Sequence, residues 1–182
     1  MTKYANISVE IIYQELVSLC NNHSLEYAHD AYVTLRNLYY YVLNNKTEDV
    51  GFSFSGPFAK LDYLIKENHL SKRLSRAINH LRVKLRFLNK YPKEELHKSL
   101  LSDIRLFSEF IRHIYHTPIP PDLLTLLPND YHTDKSWGNH PVKDVIRVIV
   151  NHWDDTYIYA NNDTDEEITL CYNTKTEAGT LT

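Results

Sequence analysis

At 182 residues with 43% hydrophobic and 24% charged side chains, the chain sits in the globular class and is long enough for one packed core plus a smaller unit. A formal net charge of -3 argues against a dedicated nucleic-acid binder, and the absence of any stretch near 20 apolar residues excludes an expected membrane span. Met1–Glu10 carries no basic flank followed by an apolar run, so no signal peptide is expected and a cytoplasmic location is.

The elements expected in chain order are mainly helical. A first helix is predicted from Ser8 to about Asn21, because Val9, Ile12, Leu16, Leu19 and Cys20 recur at steps of three and four. Ser24 is expected to cap a second, tyrosine-rich helix striped by Leu25, Ala28, Leu35, Leu38, Tyr39 and Val42 and closed by Asn44-Asn45. After a loop over 47–56, Pro57 opens a short third helix with Phe58, Leu61, Leu64 and Ile65, interrupted at Asn68-His69. Ser71 opens the fourth, with Leu74, Ala77, Ile78, Leu81, Leu85 and Leu88 on its apolar face and an end near Asn89. The fifth begins at Pro92 with Glu94-Glu95 in its first turn and carries Leu96, Leu100, Ile104, Phe107, Phe110, Ile111 and Ile114 along one side.

Beyond Thr117 the composition shifts. Pro118, Pro120, Pro121 and Pro128 predict an extended connection, and a domain boundary is expected there. Three short strands are then predicted at 145–150, 156–159 and 168–172, separated by polar turns. The expected organisation is a bundle of about five helices over 1–116, a proline-rich connection over 117–141, and a short antiparallel β meander over 142–182. So small a sheet buries little alone, which suits the start of a longer β domain.

Charge placement supplies the main functional signal. From His69 to Tyr91 the chain carries Lys72, Arg73, Arg76, Arg82, Lys84, Arg86 and Lys90 with no Asp or Glu. On a wheel of about 100° per residue, Lys72, Arg76, Arg86 and Lys90 fall within roughly 40° of one line, opposite the leucines. Such a face can follow a phosphate backbone; its bland counterpart is a solvated surface or one neutralised by neighbouring acids. Lys72, Arg76, Arg82, Arg86 and Lys90 are the candidate nucleic-acid-binding residues.

Catalytic and metal signals are weak by comparison. His113 and His116 form one histidine pair without a third ligand, and neither Asp154-Asp155 nor Asp163–Glu167 has the glycine and bidentate glutamate of a calcium loop. Cys20 and Cys171 lie on segments of different type, so neither a disulfide framework nor a zinc site is expected. The Asn-x-Ser/Thr triplets at Asn6, Asn22, Asn45 and Asn162 are read as chance in an intracellular chain. No phosphate-cradling glycine loop or nucleophile elbow occurs, and no cofactor is expected.

The phrases Leu35-Arg36-Asn37-Leu38, Phe58-Ala59-Lys60-Leu61-Asp62-Tyr63-Leu64, Leu70-Ser71 and Asn79-His80-Leu81-Arg82 resemble the HEPN-like helical domains near the N-termini of type I restriction subunits and bacterial superfamily 1 helicases. The resemblance covers roughly residues 24–115 and rests mostly on helix-packing positions. It implies a non-catalytic N-terminal accessory module of a larger, helicase-like, ATP-binding protein whose ATPase core lies further along, with the module docking partners or guiding DNA or RNA. Two alternatives accompany it. One is a protein-interaction module that forms a homodimer through Tyr39-Tyr40-Tyr41. The other is a HEPN-type ribonuclease, in which an arginine and a following histidine act together; Arg82 lies at the aligned arginine but has no histidine before His97, while Arg73 and His80 share a helix face.

Overall fold

In the computed structural model, which describes residues 8–51 and 53–132 and the backbone of 157–161 and 167–171, six α-helices account for most of the described chain. They are α1 (Val9–Asn21), α2 (Ala28–Thr47), α3 (Pro57–Glu67), α4 (Lys72–Arg86), α5 (Lys93–Tyr115) and the single turn α6 (Pro121–Leu124), with a 3-10 turn at Leu88–Lys90. The protein is mainly helical, as expected from its striped segments.

Local chemistry explains most of the boundaries. Ser71 has extended backbone and its hydroxyl accepts from the Leu74 amide at 3.1 Å, satisfying one of the donors left open at the start of α4. Pro57 takes the first turn of α3, where its missing amide leaves no helical bond unmade. At the other end of α3, His69 adopts a left-handed conformation (φ 50°), the Leu70 amide reaches the Ile65 carbonyl at 3.1 Å, and the His69 amide reaches Lys66 at 3.2 Å. That paired closure satisfies two terminal carbonyls, with histidine standing where glycine is usual.

The second helix begins later than expected. Tyr27, not Ser24, precedes its first residue, and Leu25 lies outside it, 45% exposed. It also runs through Asn44-Asn45 to Thr47, whose hydroxyl donates back to the Leu43 carbonyl at 2.7 Å.

The core is organised around α2 and α5. Helix α2 packs against α1, α3, α4 and α5, while α5 also packs against α1 and α4. Their long buried faces, Tyr32, Leu35, Leu38, Tyr39, Val42 and Leu43 from one and Leu96, Ile104, Phe107, Phe110 and Ile111 from the other, are withdrawn from water completely. Burial of this apolar surface is the main force holding the helices together, at about 25 cal/mol per Å².

The proline-rich stretch departs from the expected linker. Prolines 120 and 121 set up the first turn of α6, which packs on α1, and Ile119, Leu123, Leu127 and Tyr131 are buried. The Tyr13 hydroxyl of α1 donates to the Thr117 carbonyl at 2.9 Å, and the His132 amide donates to Ser102 of α5 at 2.6 Å. Residues 117–132 therefore form a strap belonging to the helical unit, which extends to Thr133; a second compact unit begins at Asp134. Proline composition predicted an extended connection, whereas leucines at 123 and 127 give the strap a face to bury.

In the second unit, β1 (Tyr157–Asn161) and β2 (Glu167–Cys171) pair antiparallel, with Tyr157 opposite Cys171 and Asn161 opposite Glu167. The strand expected at 145–150 lies outside the described residues.

Candidate functional site

Helix α4 positions the basic residues because its own leucines must face inward. Leu74, Ala77, Ile78, Leu81 and Leu85 are buried against the bundle, which turns Lys72, Arg76 and Arg86 outward, where all three are exposed. Lys90 is exposed as well. Among the described residues, neither Lys72 nor Arg76 has an ion-pair partner. Arg86 and Lys90 lie 5.3 and 5.8 Å from the Phe87 ring centre.

Three features differ from the expected single line of cations. First, α4 ends at Arg86 and Phe87 leaves helical geometry (φ -112°, ψ 38°), so Lys90 sits on a separate 3-10 turn and does not continue the α-helical wheel. Second, Val83, which the wheel places between Lys72 and Arg76 and which lies along the helix between Arg76 and Arg86, is only 3% exposed; the middle of the face is closed and the cations divide into a Lys72–Arg76 patch and a separate Arg86.

Third, Arg82 is buried at 8% exposure with its guanidinium 4.7 Å above the Phe58 ring of α3. It is a packing residue of the α3–α4 contact, not part of an exposed phosphate face. Its positive charge also offsets part of the burial that raises the Tyr39 phenol above its ordinary range.

Lys84 turns to the opposite flank of α4 and enters a polar cluster that the sequence did not single out. Its ammonium lies 2.8 Å from Asp103 Oδ2 and 3.0 Å from Ser99 Oγ, both on α5. The Tyr32 hydroxyl of α2 lies 2.5 Å from the same Asp103 oxygen and 2.8 Å from Ser99 Oγ. Lys84 and Asp103 side chains are 12% and 15% exposed, and the ammonium also sits 5.5 and 5.7 Å from the rings of Tyr32 and Tyr91. Burial, followed by the Asp103 charge, raises the Tyr32 phenol, which remains a proton donor. The cluster is a hydrogen-bonded staple joining α2, α4 and α5. Its sequence signal was present as Ser99 and Asp103 at i and i+4 beside the apolar stripe of α5.

The arginine of the ribonuclease alternative is also engaged. Arg73 grips Asp130 of the strap through Nη1–Oδ1 at 3.3 Å and Nη2–Oδ2 at 2.7 Å, and lies 4.3 Å over the Tyr131 ring. His113 uses Nδ1 on the Glu109 carbonyl at 2.8 Å, while His116 lies past the end of α5 in left-handed geometry (φ 54°), so the two do not share a helix face. Among the described residues no three His, Cys, Asp or Glu converge as metal ligands, and no helix is long and apolar enough to cross a membrane. In the tyrosine triplet, Tyr39 is fully buried and Tyr40 and Tyr41 pack partly buried against the core.

What fold and site together define is a helical bundle with a divided basic surface on its fourth helix. No family model, curated protein or solved structure matches the chain.

Proposed function

We propose that this chain is a non-catalytic accessory module of a larger nucleic-acid-dependent, helicase-like ATPase, and that the bundle guides nucleic acid by engaging phosphates through Lys72 and Arg76, with Arg86 and Lys90 as flanking contacts. The observation that carries the reading is the outward exposure of Lys72 and Arg76, one helical turn apart, without a carboxylate partner among the described residues. The sequence resemblance supplies the ATPase context, and the predicted meander, with strands expected at 145–150, 156–159 and 168–172, is read as the opening of a β domain in that larger protein.

Replacing Lys72, Arg76, Arg86 and Lys90 by Glu tests the surface directly. Binding of a labelled DNA duplex or single-stranded RNA should fall at least ~10-fold at low salt, and the dependence of log affinity on log salt should flatten by roughly 0.7–0.9 per lost phosphate contact. Unchanged affinity and slope would show that the face is only solvated. A Gly-x-x-x-x-Gly-Lys-Ser/Thr loop in the same reading frame tests the ATPase half.

A further inference from the structure

We infer that Asp130 stands in for a phosphate at Arg73, and that Arg73 is a further nucleic-acid-binding cation held in reserve until a backbone phosphate displaces that carboxylate. The inference rests on the reading of the basic face given above and names how that face is regulated.

Arg73 is next to Lys72 in sequence and three residues before Arg76, so all three cations occupy the first turns of α4. Its guanidinium meets Asp130 through two bonds of 2.7 and 3.3 Å, one from each terminal nitrogen to each carboxylate oxygen, the forked pairing with which arginine binds carboxylate and phosphate alike. A third contact, from Nη2 to the Tyr131 carbonyl at 3.3 Å, and the Tyr131 ring 4.3 Å below Cζ hold the fork in orientation. The guanidinium is thus built for an oxyanion before any ligand arrives.

The same pair is open to competition. The Arg73 and Asp130 side chains are 50% and 60% exposed, so their attraction is screened by water and salt. Each partner stabilises the other's charge, lowering the Asp130 carboxyl and raising the Arg73 guanidinium, which leaves both fully ionised at neutral pH.

Losing the pair need not undo the strap. Tyr131 is 7% exposed in the core, and the His132 amide bonds Ser102 independently of Asp130. Asp130 Oδ1 also accepts from the Tyr131 amide at 2.9 Å, so the carboxylate can pivot about that local bond away from Arg73 while Tyr131 and His132 stay anchored. Because buried Val83 closes the face beyond Arg76, an uncovered Arg73 would enlarge the local patch from two cations to three and remove a repelling anion beside it.

The test compares the salt dependence of DNA-duplex binding by the full 182-residue chain, Asp130→Asn, Asp130→Glu, Arg73→Ala and the Arg73→Ala/Asp130→Asn double variant, with thermal unfolding of each to verify the fold. Asp130→Asn is expected to bind several-fold more tightly at low salt, with a slope changed by no more than about one phosphate contact. Asp130→Glu should follow the parent chain, and the double variant should lose the gain entirely. The inference is overturned if Asp130→Asn matches the parent chain while Lys72→Glu/Arg76→Glu abolishes binding, or if the gain persists in the double variant. If Lys72→Glu/Arg76→Glu also binds like the parent, the underlying reading of the face fails and this inference with it. Asp130→Ser replaces Asp130→Asn in every comparison if the latter does not fold.

Discussion

Lys84 on α4 and Asp103 on α5 meet at 2.8 Å in a largely covered environment, and the same carboxylate oxygen receives the Tyr32 hydroxyl of α2. One carboxylate thus ties the helix bearing the basic surface to the two longest helices. Removing only one partner strands the other in a setting with little water. Lys84→Met should lower unfolding free energy by about 2 kcal/mol in urea titrations, and Asp103→Asn by a similar amount. Lys84→Met/Asp103→Asn should cost less than the sum, because neither charge is then left alone.

Lys72 offers a separation of folding from binding. It occupies the first position of α4, where the positive end of the helix dipole disfavours a cation, and no acidic residue shares that turn. Lys72→Glu should raise stability by about 0.3–1 kcal/mol in thermal or urea unfolding. The same change should weaken DNA binding, so stability and affinity move in opposite directions.

Alkaline pH should loosen the bundle. Burial, and secondarily the Glu109 charge, pushes the Tyr13 phenol from 10 up to about 12, and Tyr32, Tyr39 and Tyr115 are raised in the same direction, chiefly by burial. Below the ordinary value of 10 these phenols are protonated both folded and unfolded, and their contribution is constant. Between 10 and about 12 the unfolded chain releases the Tyr13 proton while the folded chain keeps it, so stability falls as pH rises. Unfolding free energy should be flat near neutrality and decline above about pH 10, with a shallower decline in Tyr13→Phe.

Cys20 should be a sheltered thiol. It is 9% exposed on the inner side of α1, and burial pushes it up to about 11. In a Cys171→Ser chain, a thiol-directed reagent at about pH 8 should label Cys20 slowly in the folded protein and rapidly in urea. Fast labelling of the folded chain would contradict the docking of α1.

The elements most legible in the sequence were those whose boundaries are set locally. Ser71, Pro57 and Pro92 mark helix starts by their own backbone chemistry, and the long stripe of α5 needs only its period to be recognised. The start of α2 was less legible because Ser24 offered a cap that the chain does not use, and Leu25 continued an apolar pattern into an exposed turn. The strap was misread because prolines describe local extension while its burial depends on the distant surface of α1.

The candidate face was legible as chemistry but not as shape. A wheel assumes one uninterrupted helix, whereas Phe87 breaks α4 before Lys90, and it cannot register that Val83 is covered or that Arg82 packs on Phe58. Nor does spacing reveal that Asp130, far along the chain, neutralises Arg73.

The bond between Tyr13 and Thr117 joins residues 104 positions apart. As the polypeptide leaves the ribosome, the first helix is made long before the surfaces it rests against, and it must wait with Ile12 and Leu16 uncovered. Closure so distant in sequence makes completion of the domain a late event in synthesis. A nascent chain stopped short of the strap would leave the part of α1 that α6 covers exposed, for chaperones to hold.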